Sequence, residues 1–168
     1  MNSRYLILGL SVLALAAIGS SGAIGKARRF AYNPTSSAPL GWYRIVTPDH
    51  LQVNDVVLVR LPFEAARLAD QRHYLRFGVP ILKRIGALSP QSVCIDNNRV
   101  LIDQTLVART LQRDGAGRLL DPWAQCRSLN SDELFLLSTT HPASFDSRYF
   151  GPVSRQLVIG RAIPIWTW

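Results

Sequence analysis

Lys83 is the side chain in this sequence whose placement most invites a chemical role. Of the 19 Lys and Arg residues, only Lys26 and Lys83 are lysines, and Lys26 lies beside an apolar N-terminal run. A chain that takes its positive charge from arginine has little need of lysine for charge alone. An ammonium can lose its proton near neutral pH when desolvated, whereas a guanidinium cannot. Lys83 falls in the run ILKRIGAL over 81–88, with Ile81, Ile85 and Ala87 on its own face of a strand. Desolvation there would give a base usable near pH 7. The plainer reading is a strand-edge lysine whose head reaches water.

A base implies a nucleophile. A serine needs the base within hydrogen-bond reach and donors aimed at the developing oxyanion. Ser36 and Ser37 lie in the turn-rich tract Phe30 to Tyr43, where serines ordinarily bond their own backbone. His141 and Asp146 could complete a Ser/His/Asp set, but His141 reads equally as a loop residue before Pro142. No GxSxG elbow occurs, which disfavours an α/β-hydrolase. Cys94 and Cys126 form no CxxC, and His50, His73 and His141 are scattered, so neither a zinc site nor any other cofactor is expected.

The elements that must hold these groups are mostly strands. The runs 55–61 (DVVLVRL), 81–88, 133–139 (ELFLLST) and 156–168 read as strands. Asn97-Asn98 between 92–96 and 99–103 reads as a two-residue hairpin turn. One helix is expected near 63–77, where no Pro or Gly interrupts, and 113–121 (RDGAGRLLD) reads as a loop. The fold class is therefore mainly β: an antiparallel domain over residues 30–168 with one or two short helices.

Ahead of it, residues 5–25 are apolar or small. As a helix they would span roughly 31 Å, enough to cross a bilayer core. Residues 1–29 thus read as a membrane anchor with a basic flank, and the alternative is a cleaved signal peptide using the small residues Ser21-Gly22-Ala23. Lys26, Arg28 and Arg29 after the run favour a cytoplasmic C-terminus. With 48% hydrophobic and 18% charged residues the chain is not a disordered one. Its net charge of +8 suits an anionic membrane surface or nucleic acid. The arginines are dispersed from Arg4 to Arg161, so direct nucleic-acid binding is not expected.

The alternating tract Asn33-x-Thr35-x-Ser37-x-Pro39-x-Gly41-x-Tyr43 resembles the signature of TraF-type conjugative-transfer peptidases, a branch of the type I signal peptidase (S26) family. Four further blocks agree in order: Asn54-Asp55-Val56-Val57, the box from Leu82 to Leu88 around Lys83-Arg84, the hairpin from Cys94 to Asp103, and Ser144-Phe145-Asp146-Ser147-Arg148 with Gly151. Each block is weak alone, and the five in order cover nearly all of the chain beyond the anchor. There are departures. Asn54 stands where the family has Gly, the Ser-Met pair of the general signal peptidases is absent, and 138–141 (STTH) replaces a Gly-Asp-Asn-Arg tract.

The resemblance implies a fold and roles. The domain would be a signal-peptidase-like catalytic domain. Ser37 would be the nucleophile, Lys83 the general base, and Thr35 a contributor to the oxyanion hole beside the Ser37 backbone N–H. Ser144 would orient Lys83, and Asp146 with Arg148 would form a supporting ion pair. Ser36, three residues before Pro39, keeps the spacing of the larger family and is the rival nucleophile. The resemblance places the domain in the periplasm, bound to the bacterial inner membrane by a single pass, against the indication of the basic flank. In that compartment Cys94 and Cys126, the only cysteine pair, are expected to form a disulfide. The implied substrate is a membrane-inserted pilin precursor, cleaved and in this branch sometimes cyclised, with the lipid bilayer and conjugative type IV secretion components as partners. The alternatives are a general signal peptidase for exported proteins and a non-catalytic membrane component of a secretion channel.

Overall fold

Aliphatic and β-branched runs shape this domain, and they sort by how deeply they are buried. The computed structural model describes residues 30–168. The expected anchor over 1–29 lies outside the described residues, and among these no helix is long and apolar enough to cross a membrane.

The main sheet holds seven strands in the order β1-β2-β11-β3-β4-β9-β10. They are β1 (Phe30–Asn33), β2 (Gly41–Val46), β3 (Val56–Val59), β4 (Ile81–Leu88), β9 (Glu133–Leu136), β10 (Val153–Ser154) and β11 (Val158–Thr167). β3 is VVLV, and all four residues are buried, as a central strand covered on both faces requires. A second sheet holds β5 (Ser92–Asp96), β6 (Arg99–Ile102), β7 (Thr105–Arg109) and β8 (Cys126–Ser128) in the order β7-β6-β5-β8. All of these strand pairs are antiparallel. The expected mainly β, antiparallel class with few helices is what the chain adopts.

The hairpin at Asn97-Asn98 is present, and both asparagines have positive φ, at 48° and 61°, as a primed turn demands. Cys94 and Cys126 are register partners on β5 and β8 and are joined by a disulfide across 32 residues. In the chain-entropy model, closing such a loop contributes about 3–4 kcal/mol.

The strands β7, β8 and β10 lie outside the runs read as strands in the sequence, and three further elements differ in extent. The tract 30–43 is more than a turn. β1 and β2 form a hairpin around residues 34–40, and Gly41 is required there, because a Cβ would lie 2.1 Å from the Trp166 carbonyl oxygen. The helix α1 (Phe63–Gln71) stops six residues early. His73 has a φ of +57°, and the Ala69 carbonyl takes both the Tyr74 and Leu75 amides, so the chain leaves the helix there. The strand expected over 133–139 ends at Leu136. A second helix, the single turn α2 (Ser147–Phe150), follows.

These elements converge on one region. The β1–β2 hairpin carries Ser37 at its turn. Lys83 on β4 faces Val57 on β3, and β4 also pairs with β9. The chain leaving β9 returns as the segment 138–150 with Ser144, Asp146 and Arg148. Beneath lie Ala38, Tyr43, Leu58, Leu82 and Ala162, one apolar cluster under the hairpin turn and Lys83.

Candidate active site

The turn that carries Ser37 is built on one buried side chain. Asn33 is 3% exposed and ends β1 just before Pro34, where a proline already restricts the backbone. Its Nδ2 donates to the carbonyls of Thr35 (2.8 Å), Ala38 (3.0 Å) and Pro39 (3.0 Å). Its Oδ1 accepts from the Thr35 backbone N–H (3.2 Å) and the Thr35 hydroxyl (3.0 Å). Tyr43, wholly buried on β2, donates its hydroxyl to the Pro39 carbonyl at 2.7 Å. Thus both ends of the turn are tied down. Ser37 is buried, and its Oγ lies 3.2 Å from Thr35 Oγ1. Ser36 is exposed, and only its carbonyl is engaged, by the Thr140 hydroxyl at 3.4 Å.

Lys83 is buried, and its Nζ donates to Ser144 Oγ at 2.5 Å. Burial pushes its pKa down to about 8, while Asp146 draws it upward and Arg148 presses it lower. The strand-edge reading of a lysine reaching water does not hold, since Lys83 is only 5% exposed.

Behind Lys83, Asp146 and Arg148 form a fully buried ion pair. Arg148 uses all five of its N–H donors. Nε and Nη2 reach the two Asp146 oxygens at 2.8 and 3.0 Å. Nη2 also reaches the Ser144 carbonyl (3.0 Å), and Nη1 reaches those of Arg109 (2.9 Å) and Pro142 (3.0 Å). Asp146 caps α2 by accepting from the Arg148 backbone N–H at 3.2 Å and takes the Ser138 N–H at 3.1 Å. The pair therefore fixes the backbone on both sides of Ser144.

Thr35, Ser37, Lys83 and Ser144 all line one cavity of about 840 Å³, between the β1–β2 hairpin and the segment 141–149. Asp146 and Arg148 do not line it, and neither does Ser36. His141 does, but no hydrogen bond joins its ring to Ser37 or to Asp146, whose carboxylate is held by Arg148 and Ser138, so no Ser/His/Asp chain forms. Among the described residues no three His, Cys, Asp or Glu side chains gather as a metal site requires. The far wall of the cavity went unseen in the sequence. Tyr74 donates its hydroxyl to Asp114, Arg118 Nη2 bonds the Arg72 carbonyl at 3.1 Å, and the 113–121 loop is thereby clasped to the end of α1. Forty positions separate Tyr74 from Asp114, and no local pattern announces such a contact. Asn33 and Tyr43 had a signal, their places in the alternating tract, but nothing in that pattern assigns them a task.

A hydroxyl and a lysine amine whose pKa burial lowers to about 8, lining one cavity, can perform acyl transfer without histidine. The model of the family described as signal peptidase, peptidase S26, matches residues 3–168. The chain is 33% identical to a probable conjugal transfer protein TraF of Sinorhizobium fredii, covering 99% of this chain and 92% of that one. It is also 33% identical to a conjugal transfer protein TraF of Agrobacterium fabrum, over 99% of this chain and 98% of that one. A plasmid transfer protein TraF of Escherichia coli is 30% identical, over 80% of this chain and 75% of that one. Among solved structures, a signal peptidase I from Enterococcus faecalis aligns with a TM-score of 0.43 and 18% identity, over 68% of this chain and 98% of that one.

Proposed function

The chain belongs to the signal peptidase S26 family, and on that premise we propose that it is a membrane-anchored serine peptidase that cleaves the precursor of a conjugative pilin. The observation that carries the reading is Lys83: a buried lysine, its pKa drawn down to about 8, in the cavity that Ser37 also lines. In this reading Ser37 Oγ attacks the scissile carbonyl carbon and its proton passes to Lys83 Nζ. The oxyanion is met by the Ser37 backbone N–H with help from Thr35. Lys83 then gives the proton to the leaving amine, and an acyl-enzyme remains on Ser37. Water, deprotonated by Lys83 in turn, releases the product. A precursor amine in place of water would close a cyclic product by the same step. Ser144 holds Lys83 in place, and the Asp146–Arg148 pair holds Ser144.

The pilin assignment draws on the relatives, whose names concern conjugal and plasmid transfer. The bilayer assignment draws on the apolar run at 5–25 and on an aromatic edge of the domain. Tyr32, Trp42, Trp166 and Trp168 are exposed on β1, β2 and the end of β11, with ring centroids 5.2–6.4 Å apart between neighbours. Tyr and Trp of this kind favour the membrane–water interface. β1 begins where the expected anchor ends, and Phe30 and Tyr32 also line the cavity, so the same edge would present the site to a substrate emerging from the membrane. In this reading the domain lies in the periplasm, as the family resemblance implies and against the basic flank at Lys26, Arg28 and Arg29.

Mass spectrometry of pilin from cells with and without this protein tests the reading. Loss of the protein should leave the pilin at precursor mass, and its presence should yield the shortened mass, less one further water if the product is cyclic. Mature pilin in cells lacking the protein would contradict the assignment. Unprocessed exported proteins of many kinds would point to a general signal peptidase.

A further inference from the structure

We infer that Asn33 is a positioning residue for Ser37 that acts through the Thr35 hydroxyl, an inference that rests on reading Ser37 as the nucleophile. The orientation of the Asn33 amide is fixed by groups that have no choice: three carbonyl oxygens can only accept from Nδ2, and the Thr35 backbone N–H can only donate to Oδ1. Oδ1 carries no proton, so in its 3.0 Å contact with Thr35 Oγ1 the threonine must be the donor. A hydroxyl has a single proton. With that proton committed to Asn33, Thr35 can meet Ser37 Oγ at 3.2 Å only as an acceptor. The Ser37 proton therefore points at Thr35 in the resting enzyme.

Two consequences follow. The serine hydroxyl is held in one rotamer before substrate arrives, with its remaining lone pairs turned away from Thr35. Moreover, Thr35 can donate to an oxyanion only by releasing Asn33, because its single proton is bonded there. Asn33 thereby sets both the resting orientation of the nucleophile and the hydroxyl that answers the developing charge. Its burial at 3% exposure keeps water from replacing it.

The test is a double-mutant cycle on the full-length protein in detergent micelles, reading kcat and KM for cleavage of the pilin precursor. Asn33→Ala should lower kcat by about 100-fold with KM unchanged, the scale expected when a reacting group is misplaced by an ångström. Thr35→Val should lose a comparable factor, and Thr35→Ser, which keeps the hydroxyl, should recover most of it. The double variant Asn33→Ala/Thr35→Val should be no slower than the slower single variant, because both break one chain of hydrogen bonds. Losses that multiply would mean that Asn33 merely braces the turn backbone, and would overturn the inference. If Asn33→Ala does not accumulate, the Thr35 pair decides: Thr35→Val at the wild-type rate would also overturn it. Ser37→Ala serves as the control. A dead Ser37→Ala beside multiplying losses sinks this inference alone, whereas an active Ser37→Ala sinks the nucleophile assignment and this inference with it.

Discussion

Lys83→Arg should reduce precursor cleavage by several orders of magnitude while the protein still accumulates to the wild-type level. The substitution keeps a positive charge and most of the length, so a lysine used for charge pairing would tolerate it. What it removes is the neutral state, since a guanidinium stays protonated at every working pH. The wild-type enzyme has a matching pH signature. The Lys83 pKa is pushed down to about 8, chiefly by burial, and only the neutral amine can accept the Ser37 proton. The sign follows: below that pKa the ammonium predominates and kcat/KM falls about tenfold per pH unit, and above it the rate levels off. An acid limb in the range of an ordinary carboxylate, or an unimpaired Lys83→Arg, would remove Lys83 from the mechanism.

Asp146→Ala should be the most destabilising single change in the domain, costing about 3–5 kcal/mol. Asp146 and Arg148 are 0% and 1% exposed, and removing one partner leaves a fully buried guanidinium without its counter-charge. It also orphans the Ser138 and Arg148 backbone amides that Asp146 accepts. Thermal denaturation should show the midpoint falling by about 10 °C, the shift such a loss gives in a domain of this size. The fraction still folded should cleave slowly as well, because Arg148 would no longer be held where it fixes the Ser144 carbonyl. A midpoint within a degree or so of wild type would show that the buried pair is not what secures this segment.

Much of this was legible in the sequence where short-range chemistry decides the outcome. β4 occupies the apolar run 81–88 as read, and Asn97-Asn98 turns the chain because asparagine tolerates positive φ at low cost. Lys83 stood out by composition, and its burial agrees with the apolar residues on its face. What escaped depends on contacts between distant residues. The β1–β2 hairpin was hidden by Pro34, Pro39 and Gly41, which argue for a turn but say nothing of the strands on either side. Those strands form because β2 lies against β11, more than a hundred residues later. The early end of α1 follows from a positive φ at His73, a residue with no strong local preference for it. The turn α2 became readable only as a cap: Asp146 is its N-cap, and the same carboxylate is half of the buried ion pair. A four-residue helix has too few residues for periodicity to reveal it.

The central claim is that Ser37, and not its neighbour, is the nucleophile served by Lys83. Ser37 is buried in the cavity wall with its hydroxyl organised by Thr35, while Ser36 faces outward and lies off the cavity. The most direct measurement compares the initial rates of precursor cleavage by Ser37→Ala and Ser36→Ala, each as purified full-length protein at equal concentration. Ser37→Ala should show no cleavage above background, and Ser36→Ala should retain substantial activity. An active Ser37→Ala beside a dead Ser36→Ala would contradict the account.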